Sequence, residues 1–225
     1  AIFKPWILTT GNGTKTVYVQ FQDSAGNSSM IFSDTILLTK IVMDFDGDNK
    51  SDITVWRPGD GFWYAISSKD ESIISKQWGA GYAPYNDVPV PGDYDGDGIT
   101  DIAIWRPSSG YWYIINSRDG SIKSQQWGTS GDVLVPGDYD GDGKTDYAVY
   151  RPGAYSYWYI LSSKDGSVIS HQWGSSTLND VPVPGDYDGD GKTDVAVYHQ
   201  ASGLWFIMKS SDYASYSVGY GGTGY

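Results

Sequence analysis

A nine-residue acidic motif, Asp-x-Asp-Gly-Asp-x-x-x-Asp, occurs four times in this chain of 225 residues. The copies start at Asp44, Asp93, Asp138 and Asp186, in steps of 49, 45 and 48 residues. Each copy is followed by an alternating apolar segment and an aromatic run such as FWYAIS, and three of the four units then end in Gln-Trp-Gly. A stretch DVPVPG or DVLVPG leads into the next motif. Four strand-like segments per unit of this period are typical of β-propeller blades.

The segments between the acidic motifs have the properties of β-strands. DITVW and DYAVY alternate and are rich in β-branched or aromatic residues. Arg-Pro follows the first strand of three units and indicates its end, because proline cannot donate to a sheet. No segment has the apolar period of a helix, and no window approaches 18 consecutive apolar residues. We therefore expect an all-β chain with almost no helix and no membrane insertion.

The two ends of the repeat array break the pattern. The fourth unit has Ser217-Val218-Gly219 where Gln-Trp-Gly is expected, which predicts that it lacks its last strand. The stretch from Ile36 to Met43 is predicted to supply an unpaired apolar strand before the first motif. A closed ring would join these two halves in one blade. An open array would instead pair its edge with another chain.

Residues 1–40 differ from the repeats. TKTVYVQF alternates strongly, Asn12-Gly13 predicts a hairpin turn, and Ala25-Gly26-Asn27 predicts a second turn. The ending GTKTVYVQF, followed by DSAGN, resembles the last strands of bacterial Ig-like modules. We expect a short β-hairpin or partial Ig-like segment at 1–40, followed by four four-stranded repeats over 41–225. Because two strands alone are marginal in water, 1–40 should pack on the propeller, pair with another chain, or be the remnant of an upstream domain.

Each acidic motif has the residue types and spacing of a loop that wraps a hard cation. Oxygen ligands at positions 1, 3, 5 and 9, with a backbone carbonyl at position 7, suit calcium, which takes about six to eight oxygens. An EF-hand would need Glu at position 12, where these units have Val55, Ile104, Val149 and Val197. The alternative is an Asp/Gly turn with solvated carboxylates, but four Asp in nine residues repel one another unless a cation neutralises them.

We therefore predict about four structural calcium ions, one for each loop. The predicted ligands are the carboxylates at positions 1, 3, 5 and 9 and the carbonyl at position 7: Asp44, Asp46, Asp48, Lys50 (backbone O) and Asp52; Asp93, Asp95, Asp97, Ile99 (backbone O) and Asp101; Asp138, Asp140, Asp142, Lys144 (backbone O) and Asp146; Asp186, Asp188, Asp190, Lys192 (backbone O) and Asp194.

With this loop, the units from Ile41 to Tyr225 resemble FG-GAP or VCBS repeats, the calcium-loop blades of integrin α-subunit heads and of many bacterial secreted proteins and lectins. The resemblance implies a β-propeller with calcium bound in its loops. It also implies a role in adhesion or ligand binding outside the cell.

Recurring aromatic and polar residues suggest further sites. The first tryptophan set is expected in the core: Trp63, Trp112, Trp158 and Trp205. The Gln-Trp-Gly tryptophans either belong to the core or stack on sugar rings, with the glutamines bonding a hydroxyl; these candidates are Trp78, Trp127, Trp173, Gln77, Gln126 and Gln172. The recurring arginines, which could otherwise hold a ligand carboxylate, are expected to pair with a nearby acidic-loop carboxylate; they are Arg57, Arg106 and Arg151.

Composition narrows the function. A formal charge of -12 argues against nucleic acid and against anionic lipid as partners. The motifs hold four Asp each, so 16 of the 27 acidic residues are predicted metal ligands. The sequence has no cysteine and no P-loop, G-x-S-x-G or H-E-x-x-H motif, and His171 and His199 are isolated, so we expect no enzyme.

The leading hypothesis is a non-enzymatic, secreted or cell-surface bacterial module that recognises a protein or carbohydrate ligand. The alternative is a structural subunit of an extracellular fibre or sheath. In that case copies would assemble into a homo-oligomer or filament by strand exchange through residues 1–40.

Overall fold

The structure, a computed structural model, describes residues 13–20, 26–38 and 43–221. These residues form β-strands and a single three-residue 3-10 turn, Ser176–Leu178, so the predicted all-β class is confirmed. No helix among them is long and apolar enough to cross a membrane. The chain divides into two compact units, residues 1–41 and 42–225.

The first unit contains the predicted β-hairpin. Strand β1 (Gly13–Val19) pairs antiparallel with β2 (Phe32–Leu38), in a register that places Gly13 opposite Leu38. The predicted blade strand from Ile36 to Met43 is therefore wrong in its first part, because residues 36–38 pair with β1. Residues 39–42 lie outside the described part of the chain, as does Asn12 of the predicted turn.

The second unit contains one antiparallel sheet for each repeat, and the four sheets are arranged as a four-blade β-propeller. Within each sheet, neighbouring strands follow one another along the chain. Blade 1 contains β3 (Ile53–Arg57), β4 (Phe62–Ile66) and β5 (Ile73–Gln77); blade 2 contains β6 (Val88–Pro89), β7 (Ile102–Arg106), β8 (Tyr111–Ile115) and β9 (Ile122–Gln126). Blade 3 contains β10 (Val133–Leu134), β11 (Tyr147–Arg151), β12 (Tyr157–Leu161) and β13 (Val168–Gln172); blade 4 contains β14 (Asp180–Pro182), β15 (Val195–His199), β16 (Leu204–Met208) and β17 (Ser215–Gly219).

Blade 4 is complete, so the prediction that it lacks its last strand is wrong. Strand β17 pairs with β16, and Gly219 lies opposite Leu204. The N–H of Tyr220 donates to the carbonyl of Gly203, as the N–H of each Gln-Trp-Gly tryptophan donates in its own blade. Tyr220 therefore stands where the motif has tryptophan, and backbone pairing tolerates the substitution. Among the described residues, blade 1 has three strands, whereas each of the other three blades has four.

The hydrophobic core lies between blades. One buried cluster joins Trp112 and Ile114 of blade 2 to Val149 of blade 3, and the next joins Trp158 of blade 3 to Val197 of blade 4. Three of the four tryptophans predicted for the core are buried, namely Trp63, Trp112 and Trp158. Each blade therefore depends on its neighbours for the burial of its apolar faces.

Hydrogen bonds join consecutive blades through the Gln-Trp-Gly tryptophans. The indole N–H groups of Trp78, Trp127 and Trp173 each donate to a carbonyl in the next blade, at 3.0–3.1 Å, and the acceptors are Tyr113, Tyr159 and Phe206. These tryptophans therefore contribute to the packing of one blade on the next.

The recurring arginines pair with carboxylates outside the acidic loops. Arg106 binds Asp87 and Arg151 binds Asp132, each through two hydrogen bonds of 2.8–2.9 Å, while Arg57 lies 3.5 Å from Asp60. The expectation that they pair with acidic-loop carboxylates is wrong. In blades 2 and 3 the strand register places the arginine beside the aspartate that directly precedes the first strand of the blade.

Blade 4 lacks this ion pair. His199 stands opposite Asp180 in the register that pairs arginine with aspartate in blades 2 and 3. The Oδ1 atom of Asp180 is buried and accepts no hydrogen bond, although its Oδ2 atom accepts one from the N–H of Ser175. A buried carboxylate oxygen without a donor costs free energy.

We predict that His199→Arg raises the free energy of unfolding by about 1 kcal/mol, because a guanidinium would supply two donors to the Asp180 carboxylate. Urea denaturation measures the change. The double variant His199→Arg/Asp180→Asn is the control, and it should lose most of the gain. A gain that survives Asp180→Asn would show that the arginine acts elsewhere.

Candidate metal centres

In blades 2 to 4 the acidic loop connects the first strand of the blade to the second, and all four loops are closed at their base. In blades 2 to 4 the closure is an isolated antiparallel bridge between the residue before the motif and the last Asp: Gly92 with Asp101, Gly137 with Asp146, and Gly185 with Asp194. In the first loop the N–H of Asp52 donates to the carbonyl of Met43 at 2.7 Å. The motif is thus bent into a closed turn.

The turn requires left-handed backbone at two positions of the motif. In the second loop these are Gly96 and Gly98, with φ of 81° and 91°. The first loop has Asn49 at the second of these positions, with φ of 64°. Glycine and, less readily, asparagine adopt this conformation at low cost.

The first and last carboxylates of the motif are held by backbone N–H groups. In the second loop, Asp93 accepts hydrogen bonds from Gly96 and Gly98 at 2.6 and 2.8 Å. Asp101 accepts from Tyr94 and Ser117 at 2.7 and 2.6 Å. The other loops repeat this pattern with few changes. Both carboxylates are therefore fixed before any ligand binds.

The loops bring carboxylate oxygens together in four clusters, in each of which one oxygen per residue lies within 4.8 Å of the others. The clusters are Asp44, Asp46 and Asp48; Asp93, Asp95 and Asp101; Asp138, Asp140 and Asp146; and Asp186, Asp188 and Asp194. These are twelve of the predicted carboxylate ligands. Ligation by the remaining four, and by the position 7 carbonyls, stays a prediction.

The clustered charges are incompletely compensated by the protein. Burial raises the pKa of Asp146 to about 6, and burial also raises the pKa values of Asp101 and Asp138. Among residues 43–221, the cations close to loop carboxylates are Lys50, 2.7 Å from Asp48, and Arg118, 3.7 Å from Asp95. These raised pKa values show that the second and third loops hold negative charge at a cost, which a bound cation would remove. In the first loop, a hydrogen bond from Lys50 lowers the pKa of Asp48.

Serines behind the loops support the carboxylates, and the sequence analysis missed this role. Ser68, Ser117, Ser163 and Ser210 each donate a hydroxyl hydrogen bond to the position 5 aspartate of the same blade. A neighbouring serine in three blades donates to the position 3 aspartate; these are Ser67, Ser162 and Ser211. The signal was present, since these serines follow position 5 at a separation of 20 or 21 residues.

The candidate ligand-binding residues lie outside the clusters. The indole N–H groups of Trp78, Trp127 and Trp173 are engaged in the next blade, and the rings are half-buried, with Trp127 and Trp173 packed against the core clusters, so little ring surface remains for a sugar. The side-chain amides of Gln77 and Gln126 donate to carbonyls of Asp60 and Ser109, and Gln172 accepts from Tyr157. The glutamines are exposed, and carbohydrate binding stays a prediction.

We predict that Ser162→Ala lowers the free energy of unfolding by about 1–2 kcal/mol. The hydroxyl of Ser162 donates to Asp140 and accepts from the N–H groups of Lys164 and Asp165, so its removal leaves polar groups of the loop without partners. Urea denaturation measures the loss. Ser130→Ala, in an exposed turn, is the matched control and should change stability by less than about 0.5 kcal/mol. Equal effects of the two variants would contradict the supporting role.

Comparison with known proteins gives a family for the repeats. The profile of the FG-GAP-like repeat matches twice, over residues 93–149 and 138–197. A search of curated proteins finds no match. Among solved structures, the crystal structure of the V. cholerae biofilm matrix protein Bap1 matches with 18% sequence identity and a TM-score of 0.34, over 93% of this chain and 39% of that one. A likeness of this size carries no argument about function. Residues 93–197 therefore match FG-GAP-like repeats, and the four-blade β-propeller of the second unit is consistent with that family.

Proposed function

We propose that the four acidic clusters bind calcium and that the chain is a non-enzymatic, extracellular module for adhesion or recognition. The observation that carries the proposal is the fourfold cluster of aspartate oxygens within 4.8 Å of one another. The match to the FG-GAP-like repeat also supports the proposal.

The donor set fits calcium better than the alternatives. Every clustered ligand is a carboxylate oxygen, which excludes the softer metals that prefer thiolate or imidazole. Calcium accepts irregular geometry and six to eight oxygens, whereas magnesium requires a tight octahedron and retains water. The carboxylates at positions 1, 3, 5 and 9 and the carbonyl at position 7 would hold the ion, which would supply positive charge and no chemistry.

Calcium would also strengthen the contact between blades. The carbonyl of the position 1 aspartate accepts the N–H of a threonine in the next loop, at 2.6 Å, for the pairs Asp44–Thr100, Asp93–Thr145 and Asp138–Thr193. An ion that fixes the aspartate therefore fixes the acceptor on which the next blade rests. Since the sites form only on folding, binding adds directly to the free energy of unfolding.

An extracellular location agrees with this use of calcium, because modules outside the cell commonly bind calcium with dissociation constants of about 0.1–1 mM. The ligand recognised by the propeller is proposed to be a protein or a carbohydrate. For carbohydrate, the exposed glutamines and the exposed part of each half-buried tryptophan ring beside them are the candidate contacts, with Gln126 beside Trp127 as the example.

A structural role in an extracellular fibre or sheath is the second candidate. It is supported by the sheet of β1 and β2, which has two strands among the described residues, since a hairpin is marginal in water and would gain from pairing with another chain. Strand exchange between copies would provide that pairing.

Isothermal titration calorimetry tests the metal proposal. We expect calcium to bind with a stoichiometry of about four, and Asp140→Asn to reduce it by about one, because the amide removes a charge from one cluster while keeping the side-chain shape. Asp165→Asn, in an exposed turn outside the clusters, should leave the stoichiometry unchanged. Absence of calcium binding by the parent chain would overturn the proposal.

A glycan array probed with the calcium-loaded chain tests the carbohydrate version. We expect bound glycans to be lost in Gln126→Ala and retained in Gln125→Ala, its half-buried neighbour. If no glycan binds, or if the two variants behave alike, the Gln-Trp-Gly residues are not the site.

A further inference from the structure

The contact between blades is made three times with the same elements. We call the face of a blade toward the preceding blade its leading face, and the opposite face its trailing face. On the leading faces, Ile104, Val149 and Val197 are only 1–2% exposed. Each lies against a glycine of the preceding blade, where an added Cβ would come within 2.9–3.0 Å; the glycines are Gly79, Gly128 and Gly174. The fit leaves no room for a side chain.

The leading face of blade 1 has no such cover. Val55 occupies the same place in its strand as Ile104, since each lies opposite the tyrosine of the aromatic run. Val55 is nevertheless 54% exposed, and Ile53 beside it is also exposed. An apolar surface that is buried in three blades is thus open in the first.

The trailing face of blade 4 is open in the same way. Tyr187 is 38% exposed, whereas the equivalent Tyr94 and Tyr139 are 5% and 7% exposed. Tyr94 owes its burial to blade 3, where Tyr147 stacks on it at 5.4 Å. Val218 and Tyr220 add further exposed apolar surface to blade 4.

The start of the acidic loop in blade 4, at Gly185, is uncovered in the same way. A Cβ on Gly92 or Gly137 would lie 2.7 Å from the hydroxyl oxygen of Thr145 or Thr193 of the next blade. The three atoms nearest to a Cβ on Gly185 all belong to the side chain of Tyr187 in its own blade, at 3.2–3.5 Å. The position that accepts the next blade's threonine is therefore present in blade 4, but no threonine among residues 43–221 occupies it.

We propose that a second copy of this chain covers these faces, with the trailing face of one copy's blade 4 on the leading face of the other copy's blade 1. The two faces are the two halves of a contact that the chain makes three times internally, so their shapes match. Both faces are exposed among residues 43–221, so the four blades do not cover them. The contact is head-to-tail, and such contacts close into a ring or extend into a filament.

The proposal is independent of the ligand and of the hairpin in the first unit. It places the interface on blades 1 and 4 rather than on β1 and β2. Loss of glycan binding or of calcium stoichiometry would leave it standing, and its own failure would leave the calcium proposal standing.

Sedimentation velocity over a range of concentrations tests the interface with the full 225-residue chain. We expect a dimer or a larger assembly. Val55→Asp should raise the dissociation constant at least about tenfold, since it places a charge in the apolar contact. Ile122→Asp is the matched control: Ile122 is 63% exposed, its equivalents Ile73 and Val168 are also exposed, and the variant should assemble normally. A monomer at all concentrations, or an assembly unaffected by Val55→Asp, would overturn the proposal.

Disulfide cross-linking gives a second readout, because the chain has no cysteine. Ser51 takes the place of Thr193 in blade 1, and a Cβ at Gly137 lies 3.1 Å from the Thr193 Cβ. Mixing a Ser51→Cys chain with a Gly185→Cys chain under mild oxidation should therefore yield a covalent dimer on a non-reducing gel. Ser51→Cys mixed with Ser130→Cys is the control and should yield little. Equal yields from both mixtures would count against the contact.

Discussion

The structure depends on confining four carboxylates to nine residues of chain. Backbone N–H groups hold the first and last carboxylates of the motif, and serine hydroxyls hold those at positions 3 and 5. The same loop offers the carbonyl that receives the next blade's threonine N–H. Electrostatic repulsion within a loop therefore acts directly on the contact between blades. A cation that relieved this repulsion would act on the same contact.

Blade stacking is the second determinant of stability. The buried clusters join strands of consecutive blades, so a single blade would leave much of its apolar surface in water. As in other repeat architectures, stability then comes from nearest-neighbour contacts and the end units differ from the middle ones. Here the difference is visible in the exposure of Val55 in blade 1 and Tyr187 in blade 4.

The sequence predicted the structural features that depend on local residue patterns. Alternation and turn residues predicted the strands and the hairpin of β1 and β2, and motif spacing predicted the aspartates that cluster. The sequence did not predict the features that depend on pairing between residues distant in the chain. Blade 4 keeps its last strand because backbone hydrogen bonds accept Tyr220 in place of tryptophan. The partner of Arg106 is Asp87 because strand register brings them together, which no local pattern reveals. The supporting serines looked like ordinary turn residues.

The acidic loops also explain the composition. Sixteen of 27 acidic residues belong to them, so four calcium ions would reduce the formal charge from -12 to about -4. The acidity of the chain is then mainly a count of metal ligands rather than a property of a binding surface.

Thermal unfolding in calcium and in excess EGTA tests the central claim most directly. At calcium concentrations about a hundredfold above the dissociation constant, each site should add about 2.7 kcal/mol, so the melting temperature should fall sharply in EGTA and return when calcium is restored. Identical melting curves with and without calcium would contradict the account.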